Sequence, residues 1–185
     1  MPAVPSVTCL RPPTDSVSAG SIDACGAYVL MDYHTREIIM ETTVKTKTLF
    51  PYIPGYLAYR ELPVLQELFK QVKHPASVVL FDGNGVLHPR RCGLASHAGV
   101  LYNLVSIGVA KTPFKGNKND GTANPYQEYA LCLSKTAKKP VYVSPGHRIS
   151  FETSKTVVQN VSTWKTPEPL RRAHQLAKTT LHKVG

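Results

Sequence analysis

Apolar runs along the chain predict a series of short β-strands. The segments 27–31 and 36–44, joined by a turn over residues 32–35, are typical of a β-hairpin. The other apolar runs are short enough for single strands, and those rich in Val and Ile are typical of buried ones. These runs are 77–81, 106–110, 128–133 and 141–143.

Apolar residues spaced three and four apart predict helices between and after these strands. One such stripe follows Pro54 and carries Glu61 among its leucines, although Pro63 weakens the stripe because the residue before a proline is biased away from helix. Another helix is predicted over 93–103, and two helices close the chain. The last of these places its apolar residues on one face, namely Leu170, Ala173, Leu176, Ala177 and Leu181.

A hairpin followed by alternating strands and helices predicts an α/β fold with a mixed central sheet flanked by helices. Residues 1–20 are rich in Pro, Ser and Thr and show neither period, so we expect a loose leader there. We expect residues 21–185 to form a single domain. Ligands of such sheets gather at the carboxyl ends of strands.

Charge adds a preference for polyanions. The 185 residues contain 22 Lys and Arg against 12 Asp and Glu, a formal net charge of +10. This excess favours nucleic acid as a partner, while a solvated basic surface is the alternative, because the basic residues are spread along the chain.

Cysteine spacing and hydropathy bear on the compartment. Cys9, Cys25, Cys92 and Cys132 form no CxxC pair, which favours reduced thiols in an intracellular protein. No apolar run approaches the roughly 18 residues of a membrane span, and the first residues lack the features of a secretion signal. We therefore expect an intracellular protein, in the cytoplasm or nucleus if the source is eukaryotic, with no membrane partner.

The strand at 77–81 leads directly into a candidate for cation binding. It places Asp82 at a strand end, Gly83 and Gly85 follow, and His88 lies in the same loop. Carboxylate oxygen suits Mg²⁺. Asp-Gly and Asn-Gly are also ordinary turn dipeptides, so a plain turn is the alternative.

Two features near residue 55 could also carry function. Pro51 and Pro54 fix the backbone around Tyr52 and Ile53, making a stiff tip that could enter between bases or simply pack on the core. A carboxylate at Glu61 on an apolar stripe needs a partner, either a metal or a cation such as Arg60.

The segment 140–150 is interpreted as a strand, a turn and a helix start. Backbone N–H groups at a helix start favour anions, so a phosphate could rest near Gly146, and His147 could bind metal or move a proton. A capping or surface histidine is the alternative. Lys111 follows the strand 106–110 as a point charge for phosphate, or as an ordinary exposed lysine.

Taken together, these motifs resemble the endonuclease V family in order and length over residues 24–178. They are Pro51-Tyr52-Ile53-Pro54-Gly55 with Arg60-Glu61, Asp82-Gly83-Asn84-Gly85 with His88-Pro89-Arg90 and Gly93-Leu94-Ala95-Ser96-His97, Gly108-Val109-Ala110-Lys111, Val143-Ser144-Pro145-Gly146-His147, and Pro167-Glu168-Pro169 with Arg171 and Ala173-His174.

The resemblance implies a ribonuclease H-like fold and a metal-dependent endonuclease. Its cofactor would be Mg²⁺, with Mn²⁺ as a substitute, and its partner a nucleic acid containing inosine or deoxyinosine. Cleavage would fall 3′ to that nucleotide and leave a 5′-phosphate. We expect a monomer, and a choice between RNA and DNA does not follow from the sequence, although the Asp82 motif looks closer to eukaryotic relatives.

The resemblance also implies site residues. Asp82 and Glu61 would be metal-binding carboxylates, His147 would lie at the metal and phosphate, and Lys111 would hold phosphate. Tyr52, with Ile53 and Pro54, would form a wedge that fills the gap left by an extruded base. Positions that line or approach the base pocket are Gly55, Leu57, Gly83, Gly85, His88 and Gly93.

One family feature is not recognisable. Members carry a further metal-binding Asp on a first strand before the segment that matches Ala24, and by position Asp15 is the nearest candidate for it. We therefore expect a divergent or N-terminally shortened member with a poorly recognisable first strand. The alternative function is a catalytically impaired protein that binds inosine-containing nucleic acid, and a chain that does not fold stably by itself is the third possibility.

Overall fold

A computed structural model describes residues 3–10, 22–48, 50–51, 53–72, 76–112, 129–132 and 139–182. The chain divides into two compact units, the first made of residues 1–77 and 169–185 and the second of residues 78–168. Each unit combines β-strands with α-helices. The predicted α/β class with mixed strand directions is thereby confirmed.

The first unit contains an antiparallel group of strands in the order β3-β2-β1, formed by β1 (Ala3–Leu10), β2 (Ile22–Asp32) and β3 (Ile38–Thr48). The predicted hairpin corresponds to β2 and β3. Its turn is fixed by the Asp32 side chain, which accepts hydrogen bonds of 2.8 Å from the backbone N–H groups of His34 and Thr35.

Strand β1 corrects the expectation of a loose leader for residues 3–10, while the rest of the range 1–20 lies outside the described residues. Residues 3–10 pair antiparallel with β2, with Ala3 opposite Asp32 and Leu10 opposite Cys25. The local pattern did not predict this strand because it contains Pro5 and small polar residues. Pairing along its whole length with a long neighbouring strand supplies the backbone hydrogen bonds that define it.

Each face of β2 is covered by a helix. The side chains of the strand alternate between the two faces, so different residues contact each helix. On one face, Cys25, Ala27 and Val29 pack against Ala173 and Ala177 of α4 (Glu168–His182). The predicted apolar face of the last helix is confirmed for the residues whose burial the structure describes.

The other face of β2 meets α1 (Leu57–Gln71). A Cβ placed on Gly26 would lie 2.9 Å from Val64 Cγ1, so the glycine lets the helix approach the strand closely. Pro63 does not interrupt the helix, since Val64, Leu65 and Leu68 beyond it remain buried on the same stripe. Pro63 is the seventh of the 15 helical residues, so its missing N–H removes one hydrogen bond inside the helix, and the packing of this face holds the helix together around it.

The second unit has strand order β4-β5-β7-β6, formed by β4 (Val79–Asp82), β5 (Ser106–Ala110), β6 (Ala130–Leu131) and β7 (Val141–His147). β4 and β5 are parallel, and β7 is antiparallel to β5 and β6. Helix α2 (Leu94–Leu101) packs on β5 and β7, and α3 (Phe151–Asn160) packs on β7.

The end of β7 corrects the predicted helix start near Gly146. Gly146 and His147 belong to the strand, and α3 begins only at Phe151. The Ser150 side chain caps the helix by accepting a 3.1 Å hydrogen bond from the N–H of Thr153. A phosphate site built from a helix start at Gly146 is therefore wrong.

Two expectations about the chain as a whole concern membranes and thiols. Within the described ranges, none of the helices is both long and apolar enough to span a bilayer. Cys25, Cys92 and Cys132 are free thiols, and burial raises the pKa of the Cys25 thiol while nearby Lys45 opposes that rise.

Candidate functional site

The parallel strands β4 and β5 bring Asp82 and Lys111 together at their carboxyl ends. Asp82 ends β4 opposite Val109, and Lys111 follows the last residue of β5. The Lys111 ammonium donates a 2.8 Å hydrogen bond to Asp82 Oδ2, with 23% of the Asp82 side chain exposed. A carboxylate and a cation thus meet where α/β sheets bind ligands, as the strand prediction required.

The loop after Asp82 is held in place by backbone contacts within the second unit. Gly85 N–H donates to the buried Ser144 Oγ at 2.9 Å, and Val86 N–H donates to Pro145 O at 2.7 Å. Gly93 N–H donates to Gly85 O at 3.0 Å. The loop is therefore tied to β7 on one side and to the start of α2 on the other.

Three glycines make this close approach possible. A Cβ on Gly85 would lie 2.0 Å from Pro145 O, one on Gly93 would lie 2.2 Å from Asn84 O, and one on Gly108 would lie 2.3 Å from Gly85 N. A Cβ on Gly83 would meet only the Leu94 side chain, at 3.4 Å. The space that we assigned to a ligand beside Gly85 and Gly93 is thus filled, on the Cβ side, by the protein's own backbone.

Two polar side chains of this loop complete the local picture. Asn84 Oδ1 is buried and has no hydrogen-bond partner in the part of the chain that the structure describes. His88 is half-buried, and its Nδ1 accepts a 3.2 Å hydrogen bond from Arg90 N–H. The loop therefore offers one unpaired acceptor two residues from Asp82, a group that buried sites usually satisfy with water or a ligand.

His147 lies at the other end of β5 from Asp82. His147 is opposite Ser106 and Asp82 is opposite Val109, a separation of three residues, or roughly 10 Å along a strand. The imidazole Nδ1 lies 2.9 Å from Leu104 O, and because a carbonyl can only accept, Nδ1 is the donor. The register does not bring His147 to Asp82, in contrast to the role implied by the resemblance.

The remaining predicted residues belong to the first unit. Gly55 has φ of 83° in a turn closed by a 2.9 Å hydrogen bond from Tyr56 N–H to Ile53 O, which suits glycine after Pro54. Ile53 and Pro54 are exposed and Leu57 is half-buried. Tyr52 and Asp15 lie outside the described residues.

Glu61 is buried on α1, with 8% of its surface exposed, beside Arg60 in sequence, which is also buried at 5%. The predicted carboxylate on an apolar stripe is confirmed as a buried position. Arg60 Nη1 donates a 3.5 Å hydrogen bond to Phe50 O, so this guanidinium holds the loop that precedes the helix.

Sequence reasoning gave no role to two residues that shape the site. Ser144 holds the Asp82 loop and Gly108 lets it approach β5 closely; both lie in motifs that carry the family resemblance, but taken alone each looked like an ordinary strand residue. Among the described residues, no group of three or more His, Cys, Asp or Glu side chains is arranged to hold a metal ion.

Sequence comparison identifies similar proteins. The pattern of the family Endonuclease V matches residues 15–175. Endonuclease V of Dictyoglomus thermophilum is 36% identical over 168 residues, covering 85% of this chain and 74% of that protein.

Structural comparison agrees. Endonuclease V of Ciona intestinalis, in complex with a 24mer DNA containing an inosine followed by a ribo-adenosine, matches with a TM-score of 0.85 at 28% identity, covering 100% of this chain and 87% of that one. The catalytic domain of human Endonuclease V matches with a TM-score of 0.84 at 32% identity, covering 98% and 83%.

Proposed function

The chain belongs to the endonuclease V family, an endonuclease family with a ribonuclease H-like fold, and from this premise we propose the specificity and chemistry of its reaction. It hydrolyses a phosphodiester 3′ to inosine or deoxyinosine and leaves a 5′-phosphate. The observation that carries the proposal is the Asp82–Lys111 pair, placed at the strand ends within a backbone-braced loop. The formal charge of +10 supports a polyanionic substrate.

A divalent cation suits the chemistry of the Asp82 loop. The Asp82 carboxylate is a hard oxygen donor, and the same loop carries a second oxygen donor, the buried and unpaired Oδ1 of Asn84. When bound, Mg²⁺ or Mn²⁺ supplies positive charge to the scissile phosphate and activates a water molecule. We propose Asp82 as its main ligand.

Lys111 has two roles in this proposal. Its ammonium holds one oxygen of Asp82, which leaves the other carboxylate oxygen for the cation. With 47% of its side chain exposed, Lys111 can also present its charge to a phosphate oxygen of the substrate. Both roles need only small movements of a flexible side chain.

The recognition of the base is assigned to two segments. Ile53, Pro54 and Gly55 form the stiff exposed turn of the wedge that would carry Tyr52. The Asp82 loop supplies its backbone and His88. A hypoxanthine pairs more weakly than the standard bases, so its extrusion is less costly and its edge can be read by fixed backbone groups.

The test uses two matched pairs of single-stranded oligonucleotides, RNA and DNA, each with or without one inosine. With Mg²⁺, the chain is expected to cleave only the inosine strands, to leave a 5′-phosphate, and to lose this activity in Asp82→Asn. An absence of cleavage in both inosine strands, with Mg²⁺ and with Mn²⁺, contradicts the proposal.

A second candidate function has its own observation. Strand β1 contains no Asp or Glu, so the first-strand carboxylate that the family resemblance calls for is not on it. This favours a protein that binds inosine-containing nucleic acid with impaired turnover. Tight, inosine-dependent binding together with a cleavage rate that Asp82→Ala leaves unchanged would select this candidate.

A further inference from the structure

The first unit carries an aromatic surface that the proposed chemistry does not use. The rings of Phe50 and Tyr59 are stacked with centroids 5.8 Å apart, and Tyr56 lies 6.0 Å from Tyr59 at a tilt of 41°. Tyr56 and Tyr59 expose 41% and 54% of their surfaces. We call Phe50, Tyr56 and Tyr59 the aromatic platform.

A pocket adjoins the aromatic platform. It has a volume of about 330 Å³ and is lined by Lys47, Thr48, Phe50 and Pro63. Pro63 follows Tyr59 by one helical turn, so the pocket and the exposed ring lie on the same side of α1. This volume is at the lower end of the ~300–1,000 Å³ typical of sites for small ligands.

Buried contacts hold the aromatic platform in position. Phe50 O accepts a hydrogen bond from the Arg60 guanidinium, and Thr48 Oγ1 donates to Arg60 O, each at 3.5 Å. Arg60 is 5% exposed, so the contact with Thr48 is buried and the contact with Phe50 is partly buried. These contacts hold the Phe50 backbone, which carries the ring that links the pocket to Tyr59, before any ligand arrives.

One cation lies beside these rings. Lys47 is exposed on β3 and lines the pocket together with Phe50. Aromatic rings next to lysines are the combination that binds single-stranded nucleic acid, with the rings stacking on bases and the cations contacting phosphates.

We propose that the aromatic platform and its pocket bind a nucleobase of the substrate strand other than the inosine. This inference rests on the proposed nucleic-acid substrate. Phe50 directly precedes Pro51, and Tyr56 directly follows Gly55, so the platform flanks the segment assigned to the wedge. The bound base stacks on the exposed ring of Tyr59, while Lys47 contacts a neighbouring phosphate.

The test is a scan with single-stranded RNA 20-mers that contain one inosine and one abasic site, moved one position at a time. Affinity is measured by fluorescence anisotropy in EDTA, so that no cleavage occurs. For the unmutated chain, one abasic position besides the inosine is expected to weaken binding about 5-fold or more. In Tyr59→Leu, the affinity for the intact strand is expected to fall by a similar factor. An abasic site at that same position should then weaken the binding of Tyr59→Leu by less than about twofold.

Matched variants separate stacking from other effects. Tyr59→Phe keeps the ring and is expected to bind like the unmutated chain, as is Trp164→Leu, which removes an exposed aromatic residue of the second unit. Lys47→Gln is expected to reduce the slope of log affinity against log salt by about 0.7. Because Lys47 is an exposed strand residue, this measurement stands even if Tyr59→Leu lowers stability.

Two results overturn the proposal: equal affinity of Tyr59→Leu and the unmutated chain for the intact strand, or identical abasic profiles in both. Cleavage in Mg²⁺ is scored separately. If the chain cleaves the inosine strand but Tyr59→Leu and the unmutated chain give identical abasic profiles, only the aromatic platform is ruled out as a base site. If the abasic profiles differ as expected but no cleavage occurs, only the proposed catalytic function is ruled out.

Discussion

Lys111 donates a 2.8 Å hydrogen bond to the Asp82 carboxylate, and the two side chains extend from the carboxyl ends of adjacent parallel strands. The pair is partly open to solvent, with 47% of the Lys111 side chain exposed. Because the ammonium neutralises part of the charge of the carboxylate, Lys111 would compete electrostatically with the divalent cation that we propose at Asp82, although both would attract phosphate.

Lys111→Met should therefore lower the Mg²⁺ concentration needed for cleavage and raise the substrate concentration needed. Removing a cation beside Asp82 strengthens divalent-cation binding by about 1.5- to 5-fold, the range for a partly exposed ion pair. Substrate binding weakens, because a phosphate contact is lost. Cleavage rates measured against Mg²⁺ and against substrate concentration should show a lower half-saturating Mg²⁺ and a higher KM.

Lys111→Arg is the control for this prediction. It keeps the charge, so the half-saturating Mg²⁺ should stay close to that of the unmutated chain. A rise in the Mg²⁺ needed by Lys111→Met would contradict the assignment of Lys111 as a competing cation.

We expect His147 to stabilise the fold and not to bind the metal ion. Its Nδ1 donates to Leu104 O, so His147→Ala should cost about 0.5–1.5 kcal/mol of folding stability, the usual net value of one hydrogen bond. The half-saturating Mg²⁺ should not change. Urea unfolding and Mg²⁺ titration of cleavage measure the two effects.

His147→Asn offers a partial restoration, since its amide can donate to the same carbonyl. A rise of tenfold or more in the Mg²⁺ needed by both His147 variants, with stability unchanged, would instead place the imidazole at the metal, as the family resemblance implied.

The sequence predicted elements well where local pattern and long-range packing agree. Strand β5 has the predicted bounds Ser106–Ala110, because a run of apolar residues is buried on both faces. Strand β1 and the end of β7 were not predicted, because Pro5, Pro145 and Gly146 are turn signals locally. Pairing with β2 and with β5 overrides these signals, and that pairing is not written in the local pattern.

For the candidate site too, local sequence pattern predicted the position of single residues, whereas long-range strand pairing decided which residues meet. Asp82 and Lys111 could each be placed at the carboxyl end of a strand, but their contact depends on the parallel pairing of β4 with β5, which the local pattern does not give. The separation of His147 from Asp82 could not be foreseen, because it depends on the register of an antiparallel pair. The brace from Ser144 likewise joins residues 59 positions apart in the chain.

Acid should weaken the first unit partly through Asp32. Hydrogen bonds from the backbone N–H groups of Thr35 and His34 hold the pKa of the Asp32 carboxyl below its ordinary value. A carboxyl with a depressed pKa in the folded state adds stability that is present above the unfolded pKa, about 3.9, and is lost as pH falls through the folded pKa.

Asp32→Asn should therefore lower the unfolding midpoint at pH 7 and flatten its decline below about pH 4. Thermal unfolding followed by circular dichroism between pH 2 and 7 measures both effects, with Glu37→Gln in the same turn region as the comparison. Parallel pH profiles for Asp32→Asn and the unmutated chain would show that this turn does not contribute to acid sensitivity.

The glycines of the Asp82 loop should differ sharply in tolerance to a methyl group. In Gly85→Ala the new Cβ would lie 2.0 Å from Pro145 O, a backbone atom that also accepts from Val86 N–H. The loop or β7 must then move, which we expect to cost about 2–4 kcal/mol in the free energy of unfolding. In Gly83→Ala the Cβ meets the Leu94 side chain at 3.4 Å, an ordinary contact, so the cost should stay below about 0.5 kcal/mol.

Urea denaturation of both variants measures these costs, and cleavage at a temperature where both are folded shows whether the Asp82 loop has moved. Ser144→Ala is a further comparison, because it removes the acceptor for Gly85 N–H without adding any atom. It should lower stability by about 1–3 kcal/mol, the cost of leaving a buried donor unpaired. If Gly85→Ala were as stable and as active as Gly83→Ala, the close approach of this loop to β7 would be wrong, and the space beside Gly85 would again be open to the extruded base.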